Sequence, residues 1–390
     1  MLIKNGLVFT ERGKFEPMTI LTDGDRISML LPAEAMLKDS PASADHRSEK
    51  HAKYAGEVID ASGCYVLPGL TDIHFHGCAG HDFCEGTAEA LDAITEYEFS
   101  QGVTSICPAT MTLPDERLTE ILRSCAKYTK AQTVGERAEI VGVHLEGPFI
   151  SPIKKGAQKE EYIQTSSPEK LHRWQTAAGG LIKLVTVAPE MERAIECISE
   201  CRKEFRFSLG HTECDYDTAI RAIEAGADHI THMYNAMSPF THREPGVIGA
   251  AFDKGCYAEL ICDGVHVSPC AVRTAFRLFG DERMLLISDS MEAMGKPEGE
   301  YELGGQRVYV RGNRAELDDG TIAGSVTPLY RCMLNAVDMG IPLESAVKAA
   351  TINPCRSIGI DHDYGSISVS KKAHFLLLDR GDLRIRNVIR

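Results

Sequence analysis

From about residue 63 to 350, runs of strand-forming residues alternate with stretches whose apolar positions recur at helical spacing. The strand-like runs are "CYVLPGLTDIHFHG", "VTSICPAT", "EIVGVHLEG", "LIKLVTVAP", "FRFSLGHTE", "DHITHMYNA", "YAELICDGVHV" and "RMLLISDSM". Such alternation is the signature of a parallel sheet with crossover helices, and eight strands predict a (β/α)8 barrel of TIM type. Two intervening segments carry helix punctuation: "TAEALDAITEYEFSQG" opens on a threonine able to cap it and stops at Gly102, and "DYDTAIRAIEAGA" runs from Asp215 to Gly226.

Both ends of the chain read differently. "LIKNGLVFT", "MTILTDGDRISML" and the tail "GSISVSKKAHFLLLDRGDLRIRNVIR" alternate with the period of two of short strands. They predict a small β-sandwich domain formed by both chain termini, residues 1–66 and 354–390, beside a catalytic barrel at 67–353. The polar, aperiodic segment "EAMLKDSPASADHRSEKHAKYAGE" predicts a mobile surface loop, and residues 296 to 324 read as hairpins inserted after the eighth strand.

Composition narrows the class. The 390 residues are 43% hydrophobic and 25% charged, as in globular proteins with ample core. No stretch has the apolar length of a membrane span and the N-terminus lacks a signal-peptide core, so a cytoplasmic protein is expected. A net charge of −14 argues against nucleic-acid binding and leaves any anionic ligand to be met by local cations. The thirteen cysteines are scattered, with no CxxC pair, and predict reduced thiols.

Active sites of such barrels gather at the C-terminal ends of the strands. His74 and His76 end the first predicted strand, Glu146 the third, His211 the fifth, His232 the sixth, His266 the seventh and Asp289 the eighth. Residues two apart on a strand share a face, so His74 and His76 can both point toward the barrel axis. Taken singly, a histidine such as His211 is more often a hydrogen-bonded core or turn residue than a ligand. Five ligand-type residues at strand ends shift that balance: imidazoles and a carboxylate suit one or two divalent transition-metal ions, Zn2+ or Fe2+. Glu146 is the sharpest case, because an acid closing an apolar run is costly to bury without a partner. His144 faces the same way with a supporting role as plausible as ligation, and His229 reads as structural. His81, His172 and His242 read as surface or loop residues. A carboxylate at Asp289 suits general base and then general acid work, with a helix cap as the plainer alternative.

In order and spacing, "PGLTDIHFHG", "HLEGPF", "GHT", "HMYNAM", "REPG", "DGVHV" and "ISDS" resemble the amidohydrolase superfamily and, within it, the N-acetylglucosamine-6-phosphate deacetylases. The resemblance covers nearly the whole chain. It implies a principal metal site at Glu146, His211 and His232, with His74 and His76 the extra pair of members that hold a second ion, and Asp289 as proton shuttle. It also implies substrate contacts at Ala157, Asn235, Ala236, Arg243 and His266, with Arg243 meeting the phosphate of the neighbouring active site in a homodimer. Gln158 stands where some relatives carry a carbonyl-polarising histidine; an amide can donate to that carbonyl but cannot carry charge. Lys154 and Lys155 lie nearby, and His374 replaces an aspartate common in relatives. The implied reaction is hydrolysis of N-acetyl-D-glucosamine 6-phosphate to D-glucosamine 6-phosphate and acetate, in amino-sugar catabolism and cell-wall sugar recycling. The alternatives are another amidohydrolase acting on a different amide, such as one built on a carboxylated Lys183, or a non-catalytic scaffold with the same fold.

Overall fold

The computed structural model describes residues 1–33, 56–132 and 135–390. The expected mobile loop, except its last two residues, lies outside them.

The predicted first strand divides in two. Cys64–Pro68 pairs with Leu2–Phe9 in parallel and with Phe375–Asp379 antiparallel, whereas Leu70–Asp72 pairs with Val103–Ile106. Gly69 makes the change of direction possible, since a Cβ there would lie 2.1 Å from the Thr104 hydroxyl.

The strands of both termini form one seven-stranded sheet, ordered Ile385–Ile389, Phe375–Asp379, Cys64–Pro68, Leu2–Phe9, Phe15–Asp23 and Arg26–Pro32, with Val58–Asp60 beside Leu2–Phe9. The expected β-sandwich formed by both termini is thus a single hydrogen-bonded sheet in which strands from the two ends pair directly. Backbone bonds of Ser370 and Lys371 to Ile27 and of Ala373 to Asp25 bring the far edge back to the segment before Phe375. The sheet so curls around a core that includes Ile3, Val8, Ile20, Ile27, Val66 and Phe375.

The central region is a mixed α/β fold. A seven-stranded parallel ladder runs through Ala109–Thr110, Val143–Glu146, Ile182–Val187, Arg206–Leu209, His229–Ile230, Tyr257–Ile261 and Met284–Ile287. A second ladder joins Glu139–Ile140, Val103–Ile106 and Leu70–Asp72, and the chain passes from one ladder to the other within "VTSICPAT" and "EIVGVHLE". Beyond the strand ends, Asp289 N–H donates to the His74 carbonyl (2.9 Å) and His76 N–H to the Ser290 carbonyl (2.7 Å). The helices Ala88–Ser100 and Tyr216–Ala225 begin at Thr87 and Asp215, whose side chains accept from Ala90 and Thr218 N–H. The segment after Met284–Ile287 holds the expected antiparallel hairpins, Gly299–Leu303, Gln306–Arg311 and Arg314–Glu316.

Candidate active site

The apolar strands deliver a cluster of polar side chains to one end of the parallel ladder. Glu146, the last residue of its strand, is buried at the centre. Its Oε1 lies 3.0 Å from His232 Nε2, 3.1 Å from His211 Nε2 and 3.3 Å from His74 Nε2, while its Oε2 lies 3.2 Å from His76 Nε2. All five predicted ligands are brought together. The strand, however, ends at Asp72, so His74 and His76 project from the following turn rather than from an extended strand. Asp72 shapes that turn: its carboxylate accepts from His74 N–H (3.2 Å) and from Ser288 N–H (3.3 Å).

His211, His232 and Asp289 all have positive φ, at 48°, 26° and 47°. Such conformations are uncommon outside glycine and concentrate where surrounding structure imposes them, often at functional sites. Here they turn the chain past each strand end toward a cavity of about 500 Å³. His76, Glu146, His211, His232 and Asp289 line its floor, and Ala157, Gln158, Asn235, Ala236 and His266 its walls. The hairpin insertion adds Leu303, Asp319 and Thr321 on one side. Arg243 is exposed on the segment before helix Gly246–Lys254 and is not brought to this cavity within the same chain.

Hydrogen-bond partners assign the ring nitrogens. His211 Nδ1 faces the Lys154 carbonyl at 2.8 Å and His74 Nδ1 faces Glu259 Oε2 at 2.9 Å. Only a protonated Nδ1 can bond an acceptor, so in each neutral ring the Nε2 lone pair points at Glu146. The Nε2 atoms of His211 and His232 are 3.1 Å apart. Nitrogen and carboxylate lone pairs converging in a buried space repel unless a cation lies among them. Glu146 with His211 and His232, and Glu146 with His74 and His76, are each compact enough to hold one ion. The residues therefore fit the divalent metal that the sequence implies.

The charges within the cluster depend on one another. Burial pushes the Glu146 carboxyl up, but His74, His211 and His232 outweigh it and hold its pKa well below the usual carboxylate range. Burial likewise opposes charge on His74, yet Glu146 and Glu259 raise its pKa well above the ordinary imidazole value. His144, buried and close to His74, is driven the other way by burial and bonds Thr186 through Nε2 (2.8 Å), a supporting position. His266 is fixed by Asp263 at 2.7 Å, and His229 pairs with Asp228 at 2.7 Å away from the cluster.

Two acids were missed by the sequence reading. Glu259 is fully buried in "YAELI" and accepts from both His74 Nδ1 and His232 N–H, at 2.9 and 3.1 Å. An acid inside an apolar strand was signal enough, by the same reasoning that singled out Glu146. Asp263, in "CDGVHV", lies three residues before the histidine it orients.

A sequence profile of the amidohydrolase family matches residues 65–389. The chain belongs to that family. Among its similar members, the N-acetylglucosamine-6-phosphate deacetylase of Bacillus subtilis (strain 168) is 38% identical, over 87% of this chain and 86% of the relative. The crystal structure of N-acetylglucosamine-6-phosphate deacetylase from Pasteurella multocida superposes with a TM-score of 0.89 at 30% identity, covering 100% of this chain and 97% of that one. A mutant of the Mycobacterium smegmatis deacetylase, solved in complex with N-acetyl-D-glucosamine-6-phosphate, gives 0.87 at 30% identity, with the same coverage of both chains. This amidohydrolase has no helix, among its described residues, long and apolar enough to cross a membrane.

Proposed function

We propose that the protein is a metal-dependent deacetylase that hydrolyses the acetamide of N-acetyl-D-glucosamine 6-phosphate. The products are D-glucosamine 6-phosphate and acetate, in amino-sugar catabolism and cell-wall sugar recycling. The observation that carries this reading is the convergence of four imidazole Nε2 atoms on one buried carboxylate, with a further carboxylate, Asp289, 3.5 Å from His76 Nε2 at the cavity floor. Membership of the family and the deacetylases to which the chain is similar supply the substrate.

Glu146, His211 and His232 would hold one ion, and His74 and His76 together with Glu146 a second; Zn2+ and Fe2+ suit these donors. Such ions supply Lewis-acid activation of water and of a carbonyl. Asp289 takes the proton of the attacking water and returns it to the departing amine, since it borders both the histidine cluster and the open cavity. The buried floor strengthens the charge interactions among its side chains.

At the other end of the substrate, His266 and the backbone of Asn235 and Ala236 receive the phosphate, and Ala157 borders the sugar. Asp263 holds His266 by its Nδ1 and leaves Nε2 for the substrate; it also raises the imidazole pKa against the opposing effect of burial, which favours a cation facing phosphate. Exposed Arg243 completes the phosphate site of the neighbouring subunit in a homodimer, where its planar guanidinium suits bidentate contact. The chain works in the cytoplasm as a (β/α)8 barrel, a reading supported by the backbone bonds from Asp289 to His74 and from His76 to Ser290, with residues 1–66 and 354–390 as the terminal β domain.

The test is acetate release from N-acetylglucosamine 6-phosphate and from the unphosphorylated sugar, with metal content measured on the same preparation. Turnover of the phosphorylated sugar should be much faster. Equal rates on both would refute the phosphate assignment, and a metal-free protein that gains no activity from added Zn2+ or Fe2+ would favour the scaffold reading.

A further inference from the structure

We propose that Gln158 is a positioning residue for Glu146: it fixes the plane of the carboxylate so that Oε1 and Oε2 serve separate groups of histidines, and thereby sets affinity for the ion on the His76 side. This rests on the metal-dependent reading above and goes beyond the carbonyl contact that the sequence suggested for this position.

The argument begins with the amide's own orientation. Gln158 is buried, and its Oε1 accepts from Thr112 N–H at 2.6 Å. A backbone N–H can only donate, so the amide cannot be flipped and its NH2 must face the other way. There it meets Glu146 Oε2 at 2.6 Å, the distance of a strong hydrogen bond to a charged acceptor. The remaining neighbour of the NH2 is the Met111 sulfur at 3.8 Å, a weak acceptor that does not compete.

Glu146 is thus engaged at both oxygens, and Gln158 anchors only one of them. Oε1 faces His211, His232 and His74, whereas Oε2 faces His76 and Gln158. A carboxylate oxygen has two lone-pair directions, so Oε2 can take the Gln158 N–H on one and a cation beside His76 on the other. Without Gln158 the carboxyl is free to turn about its terminal torsion, a broad and soft one, and both oxygens can crowd toward His211 and His232. Partners that orient ligating carboxylates typically change metal affinity by 10–100-fold. Because the anchor is the backbone of Thr112, next to Met111 at the cavity edge, the rigidity of that loop is passed directly to the ligand.

The experiment uses the full chain, stripped with a chelator and titrated with Zn2+ against a competing chromophoric chelator, with stoichiometry checked by elemental analysis. Wild type should bind two equivalents. Gln158→Met, close in volume but without donor or acceptor, should keep the first equivalent within about threefold and weaken the second by roughly 10–100-fold. Gln158→Asn, too short to span Thr112 and Glu146 together, should weaken the second equivalent in the same sense and serves if the Met variant does not fold. A second equivalent of unchanged affinity in a folded variant overturns the proposal, as does equal weakening of both. A wild-type chain that binds one equivalent overturns it too, by removing the second ion; one that binds none refutes the metal-dependent reading beneath it.

Discussion

Replacing Asp289 with asparagine separates chemistry from architecture in a single change. The residue is held by its backbone: its N–H donates to the His74 carbonyl at 2.9 Å and its carbonyl accepts from Ser325 N–H at 2.7 Å. Neither bond involves the side chain. Its φ of 47° lies in the left-handed region, which asparagine and aspartate tolerate and where other L-residues pay about 1–2 kcal/mol, so Asp289→Asn preserves the local conformation better than alanine would. The carboxylate stands 3.5 Å from His76 Nε2 and 3.7 Å from His74 Nε2, asparagine keeps an oxygen at that place, and the group Glu146, His211 and His232 does not include it. Metal content should therefore stay near that of wild type. What disappears is a proton acceptor, and loss of general acid–base catalysis typically costs 10²–10⁴ in rate, about 2.7–5.5 kcal/mol at 1.36 kcal/mol per decade. Steady-state acetate release measured beside metal analysis and thermal unfolding reads all three quantities. A folded, metal-replete Asn variant whose kcat stays within tenfold of wild type would refute the proton-shuttle assignment.

Two other outcomes test the frame around the site. Burial, then the nearby charges of Arg390 and Lys372, push the His374 pKa down to about 3. Between that value and the ordinary 6.5 the unfolded chain binds a proton that the folded chain refuses, so stability is lost as pH falls through 6.5. The slope is about 1.4 kcal/mol per unit, or roughly 2 kcal/mol by pH 5, and denaturant unfolding of His374→Gln should show a shallower acid decline; an unchanged decline counts against the mechanism. Glu259→Leu leaves His74 Nδ1 and His232 N–H without their buried acceptor and should destabilise the metal-free protein by about 3 kcal/mol, read from urea unfolding; a loss under 1 kcal/mol would show that other groups satisfy both donors.

Much of the site was legible because ligand-type residues interrupt apolar strands, where side-chain hydrophobicity leaves little other reason for them. Glu146 stands out on those grounds alone, whereas His211 and His232 gain weight only as members of the set at the strand ends. Glu259 breaks its strand in the same way, yet it has no histidine beside it in sequence; its partners lie 27 and 185 residues away. The turn at Gly69 was hidden for a different reason. "CYVLPGLTD" is apolar on both sides of the glycine, so periodicity cannot show that Cys64–Pro68 and Leu70–Asp72 enter different sheets. The single curled terminal sheet, likewise, depends on pairing between Cys64–Pro68 and Phe375–Asp379, which no local pattern encodes. The hairpin insertion was visible as alternating residues, but its position over the cavity, with Leu303, Asp319 and Thr321 on the wall, follows from packing alone.

That pairing also imposes an order on biosynthesis. Cys64–Pro68 leaves the ribosome about 300 residues before Phe375–Asp379, its antiparallel neighbour, which at 5–20 residues per second is roughly 15–60 s of translation. Throughout that interval one edge of the N-terminal sheet waits with unpaired N–H and C=O groups, an invitation to mispair with other nascent chains. Phe375–Asp379 is thus the latch on the N-terminal strands. A premature stop between Asp289 and Phe375 would spare the whole histidine and carboxylate cluster and still release a polypeptide with an open β edge.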